Sequence, residues 1–378
     1  MKLVHVIPHM DEEAAGPTQS VVRLCEALAR CGQRVTMHTM ATGRPIVNVD
    51  VVVHKQCRIL GQFGFSLELV KSLYIETTRV DVIHNHSLWS FPNIAAGLVS
   101  KRGRGILLTS PRGTLAPAAR ARSKWKKLIF SPLQQPVIDR ASCLHATSAM
   151  EYSDIRALGL KHPIAVIPNG IDIPVLNLQI SQPNTNRFRR LLFLGRLHPI
   201  KGIEILLRAW LVLQNIHPEW ELVIAGKGET TYVDSLINLA RQLHLKRVSF
   251  PGPVYGDAKS KLYFSSHLFI LPTETENFGM AIAEAQAHGL PVITTQGAPW
   301  SGLEEKKSGW WVERSQENIE STLSKALNCD ATTLDDMGKR GREWMISDFD
   351  WHSISKQMLS VYEWLHKGGT PPSYVALN

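Results

Sequence analysis

Short runs of Val, Ile and Leu recur along the chain, separated by stretches in which apolar residues return every three or four positions. The runs Leu3–Ile7, Val35–Thr39, Val49–Val53, Val80–His84, Gly105–Thr109 and Ile164–Ile167 read as strands, and Gln19–Cys31 as an amphipathic helix stopped by Gly32. Strands alternating with helices of about 10–15 residues predict βαβ units and a parallel sheet. The polar stretch 174–190, with two prolines and no helical period, predicts a linker. A second alternation follows, with strands at Leu191–Leu194, Glu221–Ala225, Val248–Phe250, Leu268–Leu271 and Pro291–Thr294, and helices at Lys201–Leu213, Thr231–Leu243 and about Gly279–His288. The pattern predicts an α/β fold of two Rossmann-like β/α/β domains facing each other across a cleft at their strands' carboxyl ends. The expected boundaries are 1–173, a linker 174–190, a second domain 191–350, and a helix and tail, 351–378, free to pack back on the first domain.

Composition supports this picture. At 378 residues, with 44% hydrophobic and 20% charged residues, the chain fits two soluble domains rather than one core. No apolar run approaches the ~18–20 residues that cross a bilayer, and the N-terminal run ends at His9, too soon for a signal peptide. Five cysteines without CxxC spacing indicate a reduced, cytoplasmic compartment and no structural zinc. The net charge of +9 is unevenly spread. No Asp or Glu falls between Val82 and Ile138, while Lys101, Arg102, Arg104, Arg112, Arg120, Arg122, Lys124, Lys126 and Lys127 all do. Such a field suits nucleic acid, a phosphorylated substrate or an acidic membrane, with a solvated basic face as the alternative. Within it, Ala116–Phe130 joins five basic residues to Trp125, Leu128, Ile129 and Phe130. That composition fits a segment docking on anionic headgroups at the inner face of a plasma membrane, or a helix packing its apolar end on its own domain.

The segment Pro272–Ala285 carries the most chemistry. It leaves a strand, passes through a short loop containing Glu276, and enters a helix near Gly279 and Met280. Free N–H groups at that helix start form an anion site suited to a diphosphate. Glu284 falls eight residues after Glu276, about two turns into the expected helix, so the two carboxylates can serve different parts of one ligand. Upstream, Gly195-Arg196-Leu197-His198-Pro199-Ile200-Lys201-Gly202 follows the first strand of the second half, and Arg196 and Lys201 can converge on one anion. No segment gives a GxGxxG fingerprint, which counts against a nicotinamide enzyme, and no P-loop, HExxH or GxSxG pattern stands out.

Glu-x7-Glu, with Phe278-Gly279 after the first Glu and Ala285 after the second, resembles the retaining glycosyltransferases of family 4, with the two-domain B fold. The resemblance implies transfer of a hexose-type sugar from a UDP- or GDP-linked donor to a saccharide or lipid-linked acceptor, without metal or cofactor, in bacterial exopolysaccharide or lipopolysaccharide synthesis. It implies that Arg196, Lys201, Gly16, Phe278, Gly279 and Met280 hold the donor diphosphate, and that Glu276 orients the transferred sugar. Glu284 would take the ribose, while Gly226 and Val254 line the base pocket. His86, in Asp81–Trp89, matches the family's active-site histidine, and His84 would lie inside the strand. Ser110-Pro111-Arg112-Gly113 resembles a loop of polysaccharide-assembly members, where Arg112 would bind acceptor phosphate or hydroxyl. Pro168–Asp172 matches a turn with a structural role, and Ala15 departs from the family's first glycine. A sugar-nucleotide epimerase of the same fold is an alternative. A nucleic-acid-binding protein is another, although the basic stretch lacks the interleaved aromatics of such surfaces.

Overall fold

The structure is a computed structural model that describes residues 1–10, 16–41, 46–57, 64–100, 105–121, 124–175 and 188–377, with main chain only for 16–17 and 124–131. Ala15, the linker core 176–187, and Lys101, Arg102, Arg104 and Arg122 of the basic stretch lie outside the described residues, as do the side chains of Lys124–Phe130. The chain forms two compact units, Met1–Gly170 with Trp351–Asn378, and Ile171–Asp350.

The first unit carries β1 (Lys2–Val6), β2 (Arg34–Thr39), β3 (Asp50–Val53), β4 (Val82–His86), β5 (Ile106–Ser110), β6 (Cys143–Ala146) and β7 (Ile164–Val166). The second carries β8 (Arg189–Leu194), β9 (Trp220–Ala225), β10 (Val248–Gly252), β11 (Leu268–Leu271), β12 (Val292–Thr295) and β13 (Gly309–Val312). The chain then returns to the first unit through the helix Trp351–Lys367 and β14 (Val375–Ala376). The sheet orders are β14-β7-β6-β5-β4-β1-β2-β3 and β10-β9-β8-β11-β12-β13. All pairings are parallel except β14 on β7. Both sheets are Rossmann-like, and both reverse strand order once, at β1/β4 and at β8/β11.

Several elements differ from the sequence reading. The strand expected at Val80–His84 runs Val82–His86, because β1 sets its register through Leu3 opposite Val82. His86 is therefore inside the strand, as His84 is, and both are buried. The short strands β6, β13 and β14 went unread: at four, four and two residues they are too short for an alternating or continuous apolar pattern to stand out. Helices Gly256–Phe264, Gln316–Leu327 and Ala331–Asp348 were also missed. Central strands such as β11 and β12 are buried throughout, as helices on both faces require. The helix Trp351–Lys367 packs along Gly16–Arg30 and buries Trp351, Ile354, Met358, Val361 and Tyr362 in the first unit's core. Among the described residues, no helix is long and apolar enough to cross a membrane.

One row of that core is polar. His5 on β1, His84 and His86 on β4, Ser110 on β5 and His145 on β6 are all buried. His145 Nε2 lies 2.8 Å from the Ile167 carbonyl, so this nitrogen carries the proton and donates. Its Nδ1 then accepts from the Ser110 hydroxyl (2.7 Å), whose oxygen accepts from His84 Nε2 (2.6 Å). His84 Nδ1 in turn accepts from the Tyr362 hydroxyl, 2.7 Å away. Each bond forces the next, and the proton positions along the row follow from one carbonyl. A second branch starts at Arg112, which can only donate: its Nη2 meets His86 Nδ1 at 3.4 Å, so His86 Nε2 donates to His5 Nδ1 at 2.9 Å. His5 Nε2 is left a buried N–H without a partner.

Burial, reinforced by the Arg112 charge, pushes His5 and His145 down to about 3. Burial likewise holds His84 and His86 well below the ordinary histidine range. The unfolded chain therefore binds more protons than the folded one between the folded pKa, about 3, and the ordinary value of 6.5. Stability is fully present above about pH 7 and falls as pH drops through that window, by about 1.4 kcal/mol per pH unit for each histidine. Urea unfolding at pH 7.5, 6 and 5 should show a falling midpoint. His145→Gln, which can still donate to Ile167 and accept from Ser110, should flatten the slope by one proton. An unchanged midpoint across this range contradicts the neutral buried row.

Candidate active site

In the second unit the residues singled out by sequence lie on loops at the carboxyl edge of the sheet, around the β8/β11 reversal. After β8, Arg196 is exposed, and Pro199–Lys201 forms a 3-10 turn. Lys201 is thus separate from the helix that follows, Ile203–Leu213, and the break falls at Gly202, with φ of 71°. A Cβ at Gly202 would stand 2.1 Å from the Pro272 carbonyl oxygen, so only glycine permits this approach of the two loops. The Ile200 carbonyl accepts from Glu274 N at 2.7 Å and from Thr273 Oγ1 at 3.1 Å, which ties the turn to the loop after β11. These ties place Lys201 in an ion pair with Glu276, both side chains about 15% exposed.

Beyond Glu276 the helix runs Met280–Ala287, with Gly279 as its left-handed N-cap and no acidic residue in its first turn. Its leading N–H groups face no side-chain cap, an arrangement that favours an anion. Phe278 is buried against Trp300 and Phe349, so its ring belongs to the core, and its carbonyl accepts from Trp300 Nε1. Glu284 is the fifth residue of the helix, little more than one turn in, rather than two as the sequence suggested. Its carboxylate takes Lys259 at 2.6 Å and the Tyr263 hydroxyl at 2.9 Å. Burial and the Glu284 charge push the Tyr263 hydroxyl's pKa up, so it stays protonated and donates. The sequence reading missed both partners, because Lys259 and Tyr263 sit on an unread helix, Gly256–Phe264. Gly226, at the end of β9, packs where a Cβ would stand 1.7 Å from the Gly195 carbonyl oxygen, and Val254 follows β10 half-buried. Arg196, Lys201 and Glu276 thus straddle the reversal, with Gly226 and Val254 on one flank and Gly279 and Met280 on the other.

In the first unit the corresponding place is the β1/β4 reversal. The helix Gly16–Arg30 starts there, and a cavity of about 230 Å³ is lined by Ile7, Pro8, His9, Thr18, Val21, His86, Ser87 and Arg112. Arg112 is not part of the surface field that the charge count implied: it is 8% exposed. It has a left-handed φ of 57°, followed by Gly113 at 76°. The buried carboxylate of Glu151 holds this turn by accepting from Gly113 N at 2.7 Å. Arg112 Nη1 donates to Asn169 Oδ1 (2.6 Å) and Ser20 Oγ (3.1 Å), which gives Asn169 a contact in the site beyond the turn-forming role read from sequence. Burial lowers the Arg112 pKa to about 10, which still leaves it charged at neutral pH. His5, His84 and His86 bring ring nitrogens within 4.8 Å of one another, but both nitrogens of His84 are already bonded and Arg112 adds positive charge beside them. The cluster is poorly suited to a cation.

Comparison with known proteins agrees with this architecture. Residues 178–344 match the family described as glycosyl transferases group 1, and residues 15–170 match the glycosyl transferase 4-like domain. An uncharacterized glycosyltransferase of Haemophilus influenzae is 36% identical over 345 residues, covering 83% of this chain and 86% of that protein. An uncharacterized glycosyltransferase of Methanocaldococcus jannaschii is 30% identical over 213 residues, 53% of this chain, and the match spans about half (54%) of that relative's length. Among solved structures, sucrose-phosphate synthase from Thermosynechococcus elongatus superposes with a TM-score of 0.77 at 21% identity, over 97% of this chain and 100% of that one. An Anabaena protein in complex with UDP and glucose superposes with a TM-score of 0.74 at 20% identity, over 95% and 98%. With two Rossmann-like sheets of the glycosyltransferase B type and a covering relative above 30% identity, the chain belongs to the group 1 glycosyl transferases.

Proposed function

We propose that the protein transfers a hexose-type sugar, with retention, from a UDP- or GDP-linked donor to a hydroxyl of a saccharide or lipid-linked acceptor, in bacterial cell-surface polysaccharide synthesis. The observation that carries this reading is the Lys201–Glu276 pair at the β8/β11 reversal, beside an uncapped helix start. A donor diphosphate brings negative charge to Lys201, Arg196 and the N–H groups at Gly279–Met280, and replaces Glu276 as the counter-ion of Lys201. Glu276 is then released to accept from hydroxyls of the transferred sugar. As the bond to the anomeric carbon lengthens, charge grows on the departing phosphate, and donors already aimed there stabilise it without reorganising. The acceptor proton passes to the leaving oxygen on the same face, and His86, with Arg112, positions the acceptor or the sugar. Glu284 accepts from the ribose with lone pairs left over beside Lys259, and Gly226, whose lack of a Cβ lets it pack against the Gly195 carbonyl, lines the base pocket with Val254. The Anabaena protein of this fold was solved with UDP and glucose, which supports a nucleotide-sugar donor.

Three outcomes follow. Lys201→Ala and Arg196→Ala should weaken nucleoside-diphosphate binding and also slow transfer by about 10²–10³. Glu276→Gln should leave nucleoside-diphosphate affinity unchanged or tighter, because Lys201 loses its counter-ion, while transfer falls by a similar factor. Calorimetry and transfer assays on the three variants separate these effects, and near-normal transfer by Glu276→Gln would remove the main support for the reading.

Leaving-group stabilisation by two cations and a helix start should make the reaction insensitive to chelation. Transfer measured in excess EDTA should match the untreated rate; loss of turnover that Mn²⁺ or Mg²⁺ restores would refute it.

The basic segment 116–130 is proposed to hold the cytoplasmic protein at the inner membrane face. Reversing Lys124, Lys126 and Lys127 to Glu should release it from anionic vesicles, since each basic residue near such a surface contributes about 1 kcal/mol. Equal sedimentation of wild type and triple variant with those vesicles would exclude docking through this segment.

A further inference from the structure

The Glu284 carboxylate is held from two sides. Lys259 and Tyr263 lie four residues apart on the helix Gly256–Phe264, a spacing that puts both on one face of it. They take different oxygens of the carboxylate: Lys259 Nζ donates to Oε1 at 2.6 Å, and the Tyr263 hydroxyl to Oε2 at 2.9 Å. The hydroxyl also lies 3.4 Å from the Ala281 carbonyl, but its single proton goes to the nearer, charged acceptor. The terminal torsion of a glutamate is broad, so one partner alone would leave the carboxylate free to turn. Two partners on different oxygens fix its plane.

Tyr263 is itself set firmly. It is fully buried, and His288 stacks on its ring with centroids 4.7 Å apart and planes 27° inclined. His288 Nδ1 donates to the Glu284 carbonyl at 2.7 Å, so its Nε2 accepts from the Ser260 hydroxyl at 3.0 Å. Burial holds His288 below the ordinary histidine range, so the ring is neutral and brings no second cation to the carboxylate. The packing asks only for a ring at position 263; the hydroxyl serves Glu284. The helix begins two residues after Val254, so one short segment, 254–263, supplies both a base-pocket side chain and the groups that hold Glu284.

An ionised carboxylate offers about four acceptor positions. Lys259 and Tyr263 use one on each oxygen, and one on each remains, side by side in a plane that is held still. That pair of acceptors matches two hydroxyls on adjacent carbons, whereas a single hydroxyl would use half of it. The Glu284 side chain is 17% exposed, so a ligand can reach it. We infer that Tyr263 is a positioning residue: with Lys259 it sets the Glu284 carboxylate to accept from two neighbouring ribose hydroxyls at once, which makes the site select ribonucleotides over 2′-deoxyribonucleotides. This rests on the reading of Glu284 as the ribose acceptor, and it places the origin of the selectivity in a buried tyrosine that acts through Glu284.

The test is a cycle that pairs one change in the protein with one change in the ligand. Calorimetry on the full chain gives Kd for UDP and 2′-deoxy-UDP, or for GDP and 2′-deoxy-GDP if the chain binds guanine, in wild type and in Tyr263→Phe. Wild type should prefer the ribonucleotide by about tenfold or more, as loss of a hydrogen bond to a charged group requires. Tyr263→Phe keeps the ring against His288 and should lose most of that preference, by weakening the ribonucleotide while the deoxynucleotide binds as before. A purely structural role would weaken both ligands equally and leave the preference intact, which overturns the inference, as does a wild type without preference. If Tyr263→Phe does not fold, Lys259→Gln, at a partly exposed side chain, takes its place with the same expected loss of preference. In Glu284→Ala the preference should already be gone, and adding Tyr263→Phe should change it no further; a further change would show that Tyr263 acts by another route. A chain that binds neither nucleotide refutes the nucleotide-sugar reading itself, which keeps the two failures apart.

Discussion

Each sheet lays down its first three strands outward to one side, then returns to the other side of the starting strand and builds outward again. Right-handed crossovers make the two series of connections cover opposite faces, so the loops leaving the two strands at the junction diverge. Between them the carboxyl ends of two parallel strands are left uncovered. Several of the residues singled out for chemistry collect there: Arg196, Lys201, Glu276 and Gly279 around β8/β11, and His86 and Arg112 around β1/β4. The glycines serve the same constraint. Gly202 and Gly226 let neighbouring loops pass at distances where a Cβ would overlap a carbonyl oxygen.

The two units manage charge in opposite ways. In the second, Lys201 is paired with Glu276 and Lys259 with Glu284, side chains that are largely but not wholly withdrawn from water. Such pairs are costly to break unless a ligand supplies the missing charge, which an anion can do for Lys201 and a neutral hydroxyl cannot do for Lys259. In the first unit, Arg112 has only neutral hydrogen-bond partners. Its turn is held through left-handed φ values at Arg112 and Gly113, anchored by Glu151 from a neighbouring helix. Strain of that kind persists only where surrounding contacts over-determine it.

The polar row from Tyr362 through His84, Ser110 and His145 to the Ile167 carbonyl shows how a buried network defines its own protonation. A single backbone acceptor sets one tautomer, and each bond then sets the next. The Arg112 branch does the same for His86 and His5. The row is tied to the C-terminal helix by Tyr362, so the segment returning after the second unit also fixes the ring beside His86.

Periodicity was enough to reveal two βαβ series, because parallel strands covered on both faces must be continuously apolar and their helices must be amphipathic. The Glu276–Glu284 spacing, the Arg196–Lys201 pair and the helix start at Gly279 were likewise visible, since all lie on short local segments around two strands. What sequence could not supply was anything settled by contact between distant segments. The register of β4 follows from β1, and it carried His86 into a strand that local pattern ended two residues earlier. Short strands such as β6, β13 and β14 exist because their neighbours offer hydrogen bonds, and their own residues give little sign of it. Lys259 and Tyr263 reach Glu284 from 25 and 21 residues away, and Asn169 reaches Arg112 from 57. Arg112 read as one more charge in a basic run, because a residue's charge is local whereas its burial depends on the whole fold. The sequence by itself determined which residues have chemistry to offer, and tertiary structure alone decided which of those charges meet a carboxylate and which is buried among neutral groups.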